Sequence, residues 1–225
     1  FVQDMSDFGN AAALRTEAHY TYAALNVAVW NTLLYVNLVV PVAAWHEVRD
    51  TEPVWNAQAE AWVWTKNFTL NSIDYTANLH GSIENGDSRW AMYVSQEGGY
   101  QDFLWYEGQA RLIPTSGDWT LYQDPDNNEP YIDIEWENDL NSEYDNIKYI
   151  NSIPNHPGKD GYIHYGRVED ESYEVFYDIF LSDKNQLIEI DYNDMSTAGR
   201  IKDSQFYGNE EWKCWNEAHQ DISCE

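Results

Sequence analysis

Hydrophobic and polar residues alternate along most of this chain. In YIDIEWEN (131–138), Ile132, Ile134 and Trp136 alternate with Asp133, Glu135 and Glu137. Successive strand side chains point to opposite faces, so the apolar set shares one side and the three carboxylates the other. The same period of two runs through AWVWTKNFTL (61–70), IDYTANLHGSIE (73–84), RWAMYVSQ (89–96), DFLWYEGQARLI (102–113) and GDWTLYQ (117–123). It continues in NIKYINSI (146–153), GYIHYGRV (161–168), YEVFYDIFLS (173–182) and QLIEIDYN (186–193). Turn residues separate these runs: ENGDSR after the second, Gly98-Gly99, PTSG at 114–117, a loop DPDNNEP at 124–130 and NHPGKDG at 155–161. Ten such segments, with no helical pattern between them, predict a mainly β protein. The expected architecture is an antiparallel meander forming a curved sheet or a barrel. IDIEWEND (132–139) and IEIDYND (188–194) resemble each other, as two strands meeting the same environment would.

The first part of the chain reads differently. Residues 10–48 are rich in Ala, Leu and Val in a helical pattern, with Asn10 as a candidate cap and a break expected near Val40, before Pro41. The stretch from Ala24 to Trp45 is apolar nearly all round, but Asn26, Asn31, Asn37 and Pro41 interrupt it. It therefore predicts an enclosed helix rather than a membrane span. The expected division is a helical segment over 1–50 and a β-domain over 51–225. The helix should cover the sheet's greasy face, which must be hidden from water.

Charge changes the picture next. The 225 residues carry 39 Asp and Glu against 12 Lys and Arg, a formal net charge of −27. That field repels phosphate backbones and excludes nucleic acid as a partner. The chain opens at Phe1 rather than Met, in keeping with a removed leader. Cys214 and Cys224 are too sparse for a zinc site. Their spacing suits a local disulfide, worth roughly 3 kcal/mol in the chain-entropy account and implying an oxidising compartment; two free buried thiols are the alternative.

Candidate chemistry is thin. Neighbouring carboxylates such as Asp133 and Glu135 satisfy the separation a glycoside hydrolase needs, but so does every acidic alternation here, and a wet face does not raise a carboxyl pKa. Asp124, Asp126, Asn127, Asn128 and Glu129 offer hard oxygen ligands for Ca²⁺, without the EF-hand glycine or distal Glu, and Asp and Asn also suit turns for local reasons. The six histidines, His19, His46, His80, His156, His164 and His219, form no metal motif, although His80 and His164 lie in strand segments. No phosphate-binding glycine loop and no nucleophile elbow occurs. Trp62, Trp64, Trp90, Trp105, Trp119 and Trp136 recur on successive strands, either as core or as the lining of an apolar or sugar-stacking site. Asn67-Phe68-Thr69 matches a glycosylation acceptor inside a strand segment.

The strings DFLWYEG (102–108), SGDWTLY (116–122), GRIKDSQFYGNEEWKCW (199–215) and DISC (221–224) resemble a family of bacterial extracytoplasmic lipoproteins of the Bacteroidota type. The likeness covers roughly residues 60–225. It implies export and, in precursors, attachment through a lipidated cysteine; this chain has none near Phe1. It supports Cys214 and Cys224 as a pair and implies no activity or catalytic residue. The expected function is that of a non-enzymatic envelope or surface protein binding a small apolar or glycan ligand, or a partner protein. The alternatives are a structural or filament subunit donating its N-terminal segment, and a hydrolase with paired carboxylates.

Overall fold

The computed structural model describes residues 17–113, 115–138, 145–170 and 172–224, with the side chains at 36 and 124 outside the description. Asn10, the candidate cap, lies outside the described residues.

A 31-residue helix, α1 (Ala18–Val48), leads into one sheet of 14 strands. The strands are β1 (Val54–Asn56), β2 (Ala61–Leu70), β3 (Ile73–Glu84), β4 (Asp87–Gln96), β5 (Phe103–Arg111), β6 (Ser116–Asp124), β7 (Asn127–Asn138), β8 (Asp145–Asn151), β9 (Tyr162–Arg167), β10 (Val175–Leu181), β11 (Gln186–Tyr192), β12 (Gly199–Lys202), β13 (Lys213–Trp215) and β14 (Asp221–Ile222). A one-turn helix, α2 (Ser204–Tyr207), sits between β12 and β13. Each strand pairs antiparallel with its neighbour in sequence, in the order β1 to β14.

The meander is therefore as the alternation predicts, but three expectations are corrected. Among the described residues the sheet does not close into a barrel, because β1 does not pair with β14. These terminal strands have three and two residues, too few to seal a ladder. The strand count also exceeds ten: β1, β12, β13 and β14 are too short to show a period of two. A third correction concerns 124–130, expected as a loop. β6 runs to Asp124 and β7 starts at Asn127, so most of that segment is strand around a tight corner at Pro125 and Asp126.

Hairpin geometry explains the regular order. Asn85 and Gly86 both have positive φ (54° and 93°), which makes a two-residue turn whose twist matches the flanking strands. Asn71 and Ser72 do the same between β2 and β3.

One face is largely apolar. Tyr75, Leu79, Met92, Val94, Tyr106, Leu121, Ile132, Ile163, Ile179, Ile188 and Ile201 are all buried. The chain backbone of α1 approaches β2 and β3 at the start of the sheet and β12, β13 and β14 at its end. Inner residues of the middle strands, among them Tyr106, Leu121, Ile132 and Ile163, belong to one core cluster with Ala23, Leu34, Ala44 and Val48 of the helix. The helix thus spans the gap between the two ends of an unclosed sheet.

The helix runs through Pro41 without ending, contrary to the expected break near Val40. It bends instead, by 56° between Ala18–Tyr35 and Asn37–Val48. Pro41 has no N–H for the carbonyl of Asn37, four residues earlier, and the bend falls one turn before the proline for that reason. The polar residues inside α1 are satisfied locally: Asn26 Nδ2 donates to the Tyr22 carbonyl (2.9 Å), Thr32 Oγ1 to Ala28 (2.9 Å) and Asn37 Nδ2 to Leu33 (2.7 Å).

Candidate interaction surface

Alternation places the tryptophans, and register decides what they touch. Trp62, Trp64, Trp90, Trp119 and Trp136 share the inner face; Trp105 is the extra residue at a bulge where Met92 pairs Tyr106 and Tyr93 pairs Leu104. Trp90 stands opposite Gly81 and Gly108, Trp119 opposite Gly108, and Trp136 opposite Gly117. The indoles lie across these glycines: a Cβ on Gly108 would fall 2.8 Å from the Trp119 ring, and one on Gly117 would fall 2.7 Å from Trp136 Nε1. These rings fill the space that the glycines leave. Trp64 and Trp90 tilt together at 5.5 Å, Trp45 of α1 meets Trp90 edge-on at 6.2 Å, and Trp105 contacts Tyr100 and Phe103. Trp62 differs, being 48 % exposed at the rim beside Trp55, with ring centroids 5.5 Å apart.

The carboxylate rows form the outer face. Cross-strand register aligns Arg89, Gln109, Asp118, Glu135, Lys148, His164, Asp178, Glu189 and Lys202 in one continuous row. Two shallow depressions open on this face. One, of about 520 Å³, is walled by Asp118, Glu135, Glu137, Asn146, Lys148 and His164; the other, of about 430 Å³, by His80, Arg89, Glu107, Gln109 and Asp118 among others. Asp133 accepts from Thr120 Oγ1 at 2.7 Å, while Glu135 and Glu137 are exposed. Three carboxylates on β7 are therefore a solvated coat.

The row has internal electrostatics. Burial, then the nearby Glu189 and Asp191 carboxylates, push Asp178 up to about 6, with Lys202 opposing. Burial, then Lys148, lowers His164 below the usual imidazole range. His164 Nδ1 lies 4.0 Å from Asp178, but a ring held neutral makes no ion pair at neutral pH. Its Nε2 meets Asn146 Oδ1 at 3.0 Å. Lys148 sits over the Tyr162 ring at 4.2 Å. Arg200 and Lys202 pair with Asp191 (2.7 Å) and Glu189 (2.6 Å) and both lie against the Trp212 ring. His80 and His164, on β3 and β9, have five strands between them and do not meet.

Among the described residues no three His, Cys, Asp or Glu side chains converge in a way that could hold a metal ion. Asp124's side chain lies outside the description; Asp126, Asn128 and Glu129 sit at and just after the β6–β7 corner, and Asn127 donates to Gln123 Oε1 at 2.8 Å. Cys214 and Cys224 are bonded to each other.

The residues that sequence reasoning missed lie on α1. The helix is only partly enclosed, which corrects the expectation of a buried one. Ala23, Leu34, Ala44 and Val48 face inward and are buried. Leu25, Val29 and Leu33, four residues apart and so on one face, are 53 %, 59 % and 49 % exposed. No Asp, Glu, Lys or Arg occurs between Ala18 and Trp45. The helix is apolar all round, so no amphipathic signal marked this face. Residues Trp64 to Leu70 of β2 have no strand partner on their far side among the described residues, and Lys66 is exposed between Trp64 and Phe68. No single helix among the described residues is long and apolar enough to cross a membrane; the two halves of α1, taken together, pass that test by length and composition only.

No protein-family model, no curated protein and no solved structure matches this chain.

Proposed function

We propose that this chain is an exported, non-enzymatic protein that docks a protein partner on the uncharged face of α1. One observation carries the reading. A protein with a net charge of −27 keeps a helix free of Asp, Glu, Lys and Arg from Ala18 to Trp45 and leaves Leu25, Val29 and Leu33 about half exposed in a single row. Apolar rows of that kind are the usual anchors when a helix face meets a complementary surface. The acidic remainder repels an anionic bilayer, which favours a protein over a lipid surface. The disulfide is compatible with an oxidising compartment, and the resemblance to exported lipoproteins points the same way.

A small apolar ligand inside the sheet is less well supported, because the inner tryptophans occupy the space above Gly81, Gly108 and Gly117. Assembly by a donated helix is also less well supported, since α1 seats in its own sheet through Tyr22, Trp45 and Val48.

Photo-crosslinkable residues placed at Val29 and Leu33 in the exported chain test the reading, with Glu135 on the outer face as control. Discrete protein adducts are expected from the helix positions only, and Leu25→Glu with Leu33→Glu should abolish them while the thermal midpoint is kept. Equal labelling from Glu135, or labelling of lipid alone, would refute it.

A further inference from the structure

We propose that the Cys214–Cys224 disulfide is a redox latch on the first turn of α1. Glu17, the residue at the helix start, provides no side-chain cap. The first backbone donors are met instead by Asp221: the N–H groups of Ala18 and His19 donate to its carboxylate at 3.2 and 2.9 Å, across more than 200 positions of sequence. Tyr20 stacks on His219 with centroids 3.6 Å apart and planes 7° from parallel, and meets Trp215 edge-on at 5.9 Å. Trp215, His219 and Asp221 all belong to the short loop that the disulfide closes.

The loop is well held on its β13 side, where Trp215 pairs with Gly199 and donates from Nε1 to the Thr197 carbonyl at 2.7 Å, and His219 Nε2 meets Thr197 Oγ1 at 3.0 Å; its β14 side has less. β14 is two residues long, paired to β13 through Cys214↔Ile222 and Trp215↔Asp221. A ladder of this length does not persist alone. The bridge ties down the end of β14 and, together with the turn at Asn216, positions the carboxylate that caps α1, at the helix end where a negative charge also suits the dipole.

The bridge can be opened from outside, because Cys224 is exposed and Cys214 is buried. A thiolate of a dithiol reductant attacks Cys224 Sγ. The S–S bond breaks, and Cys214 leaves as a thiolate and takes up a proton. The reductant's second thiol then attacks the mixed disulfide, releasing Cys224 as a thiol. Two electrons and two protons pass to the protein, and the reductant ends as its own disulfide. The next turn of α1 has an independent hold, Tyr22 on Asp203 at 2.6 Å, and the far end is seated through Ala44, Val48 and Trp45. His19 also meets Tyr207 Oη through Nδ1 at 3.2 Å, outside the loop, so reduction loosens the first turn rather than detaching it and leaves the rest of the helix docked. The inference rests on these contacts and not on the docking reading above.

Amide hydrogen exchange on the whole chain, oxidised, reduced and reoxidised, tests it. Reduction should speed exchange at Ala18–Tyr22 by about tenfold or more, leave β3 to β11 unchanged, and reverse on reoxidation. Asp221→Ala should give the same local effect with the disulfide intact, and Tyr22→Phe should let reduction loosen the helix as far as Trp30. Unchanged exchange at Ala18–Tyr22 on reduction, an inert Asp221→Ala, or an equal loss of protection throughout the sheet would each overturn the latch.

Discussion

Tyr22 Oη donates a 2.6 Å hydrogen bond to Oδ2 of Asp203, joining the second turn of α1 to the segment after β12. Asp203 is fully buried, and four donors satisfy it. Gln186 Nε2 reaches the same oxygen at 2.6 Å, and the backbone N–H groups of Gln205 and Phe206 donate to Oδ1 at 3.0 and 3.1 Å. The carboxylate caps α2, and burial together with this acid raises the Tyr22 phenol above its usual range. Removing the carboxylate strands four part-buried donors at once. Asp203→Ala should cost about 3 kcal/mol or more, and Tyr22→Phe about 1.5 kcal/mol, measured by urea unfolding followed by Trp fluorescence.

The glycines beneath the indoles are expected to tolerate no side chain. A Cβ on Gly108 would meet both the Trp119 ring at 2.8 Å and the backbone carbonyl of Asp118. The carbonyl belongs to the adjacent strand and cannot swing aside. Gly108→Ala should therefore destabilise by about 2 kcal/mol, as overpacking does, although alanine ordinarily improves a strand over glycine. Trp119→Leu in the same background should recover part of the loss, and a thermal-melt comparison of the three variants reads it.

Asp178 makes stability depend on pH. Its folded pKa, about 6, exceeds the ordinary 3.8, so the folded chain binds more protons than the unfolded one between these values. Stability from this group then falls as pH rises through that window and stays lower above it. Asp178→Asn should raise the thermal midpoint at pH 8 and flatten the slope between pH 4 and pH 6. The gain is below about 1 kcal/mol, since the side chain is 37 % exposed and water screens it. An unchanged pH profile would show that the carboxyl titrates normally.

Lys66 guards the open edge. Residues 64–70 of β2 lack a strand partner on one side among the described residues, and a charge at the centre of such an edge discourages pairing with another chain. Lys66→Val should produce concentration-dependent self-association, seen as a rising weight-average mass in sedimentation, with the unfolding midpoint of the dilute chain nearly unchanged.

Local chemistry is why so much of the fold was legible beforehand. Alternation in β2 and β3 located both strands to the residue, because a half-buried strand must show its two faces in its own sequence. Asn85-Gly86 marked its hairpin because left-handed φ values select those residues. The disulfide joins the pair that spacing suggested. The outer carboxylates were readable as a coat from the same period of two.

Other features depend on residues far apart in sequence. Whether the sheet closes is set by how far the terminal strands can pair, and β1 and β14 are too short to carry a pattern. Which indole covers which glycine follows from strand register, a property of two strands that neither encodes alone. The capping of Ala18 and His19 by Asp221 exists only because the fold brings the last strands to the start of the helix. For the same reason the exposure of Leu25, Val29 and Leu33 was hidden: a helix apolar on every side does not announce which side the sheet will leave uncovered.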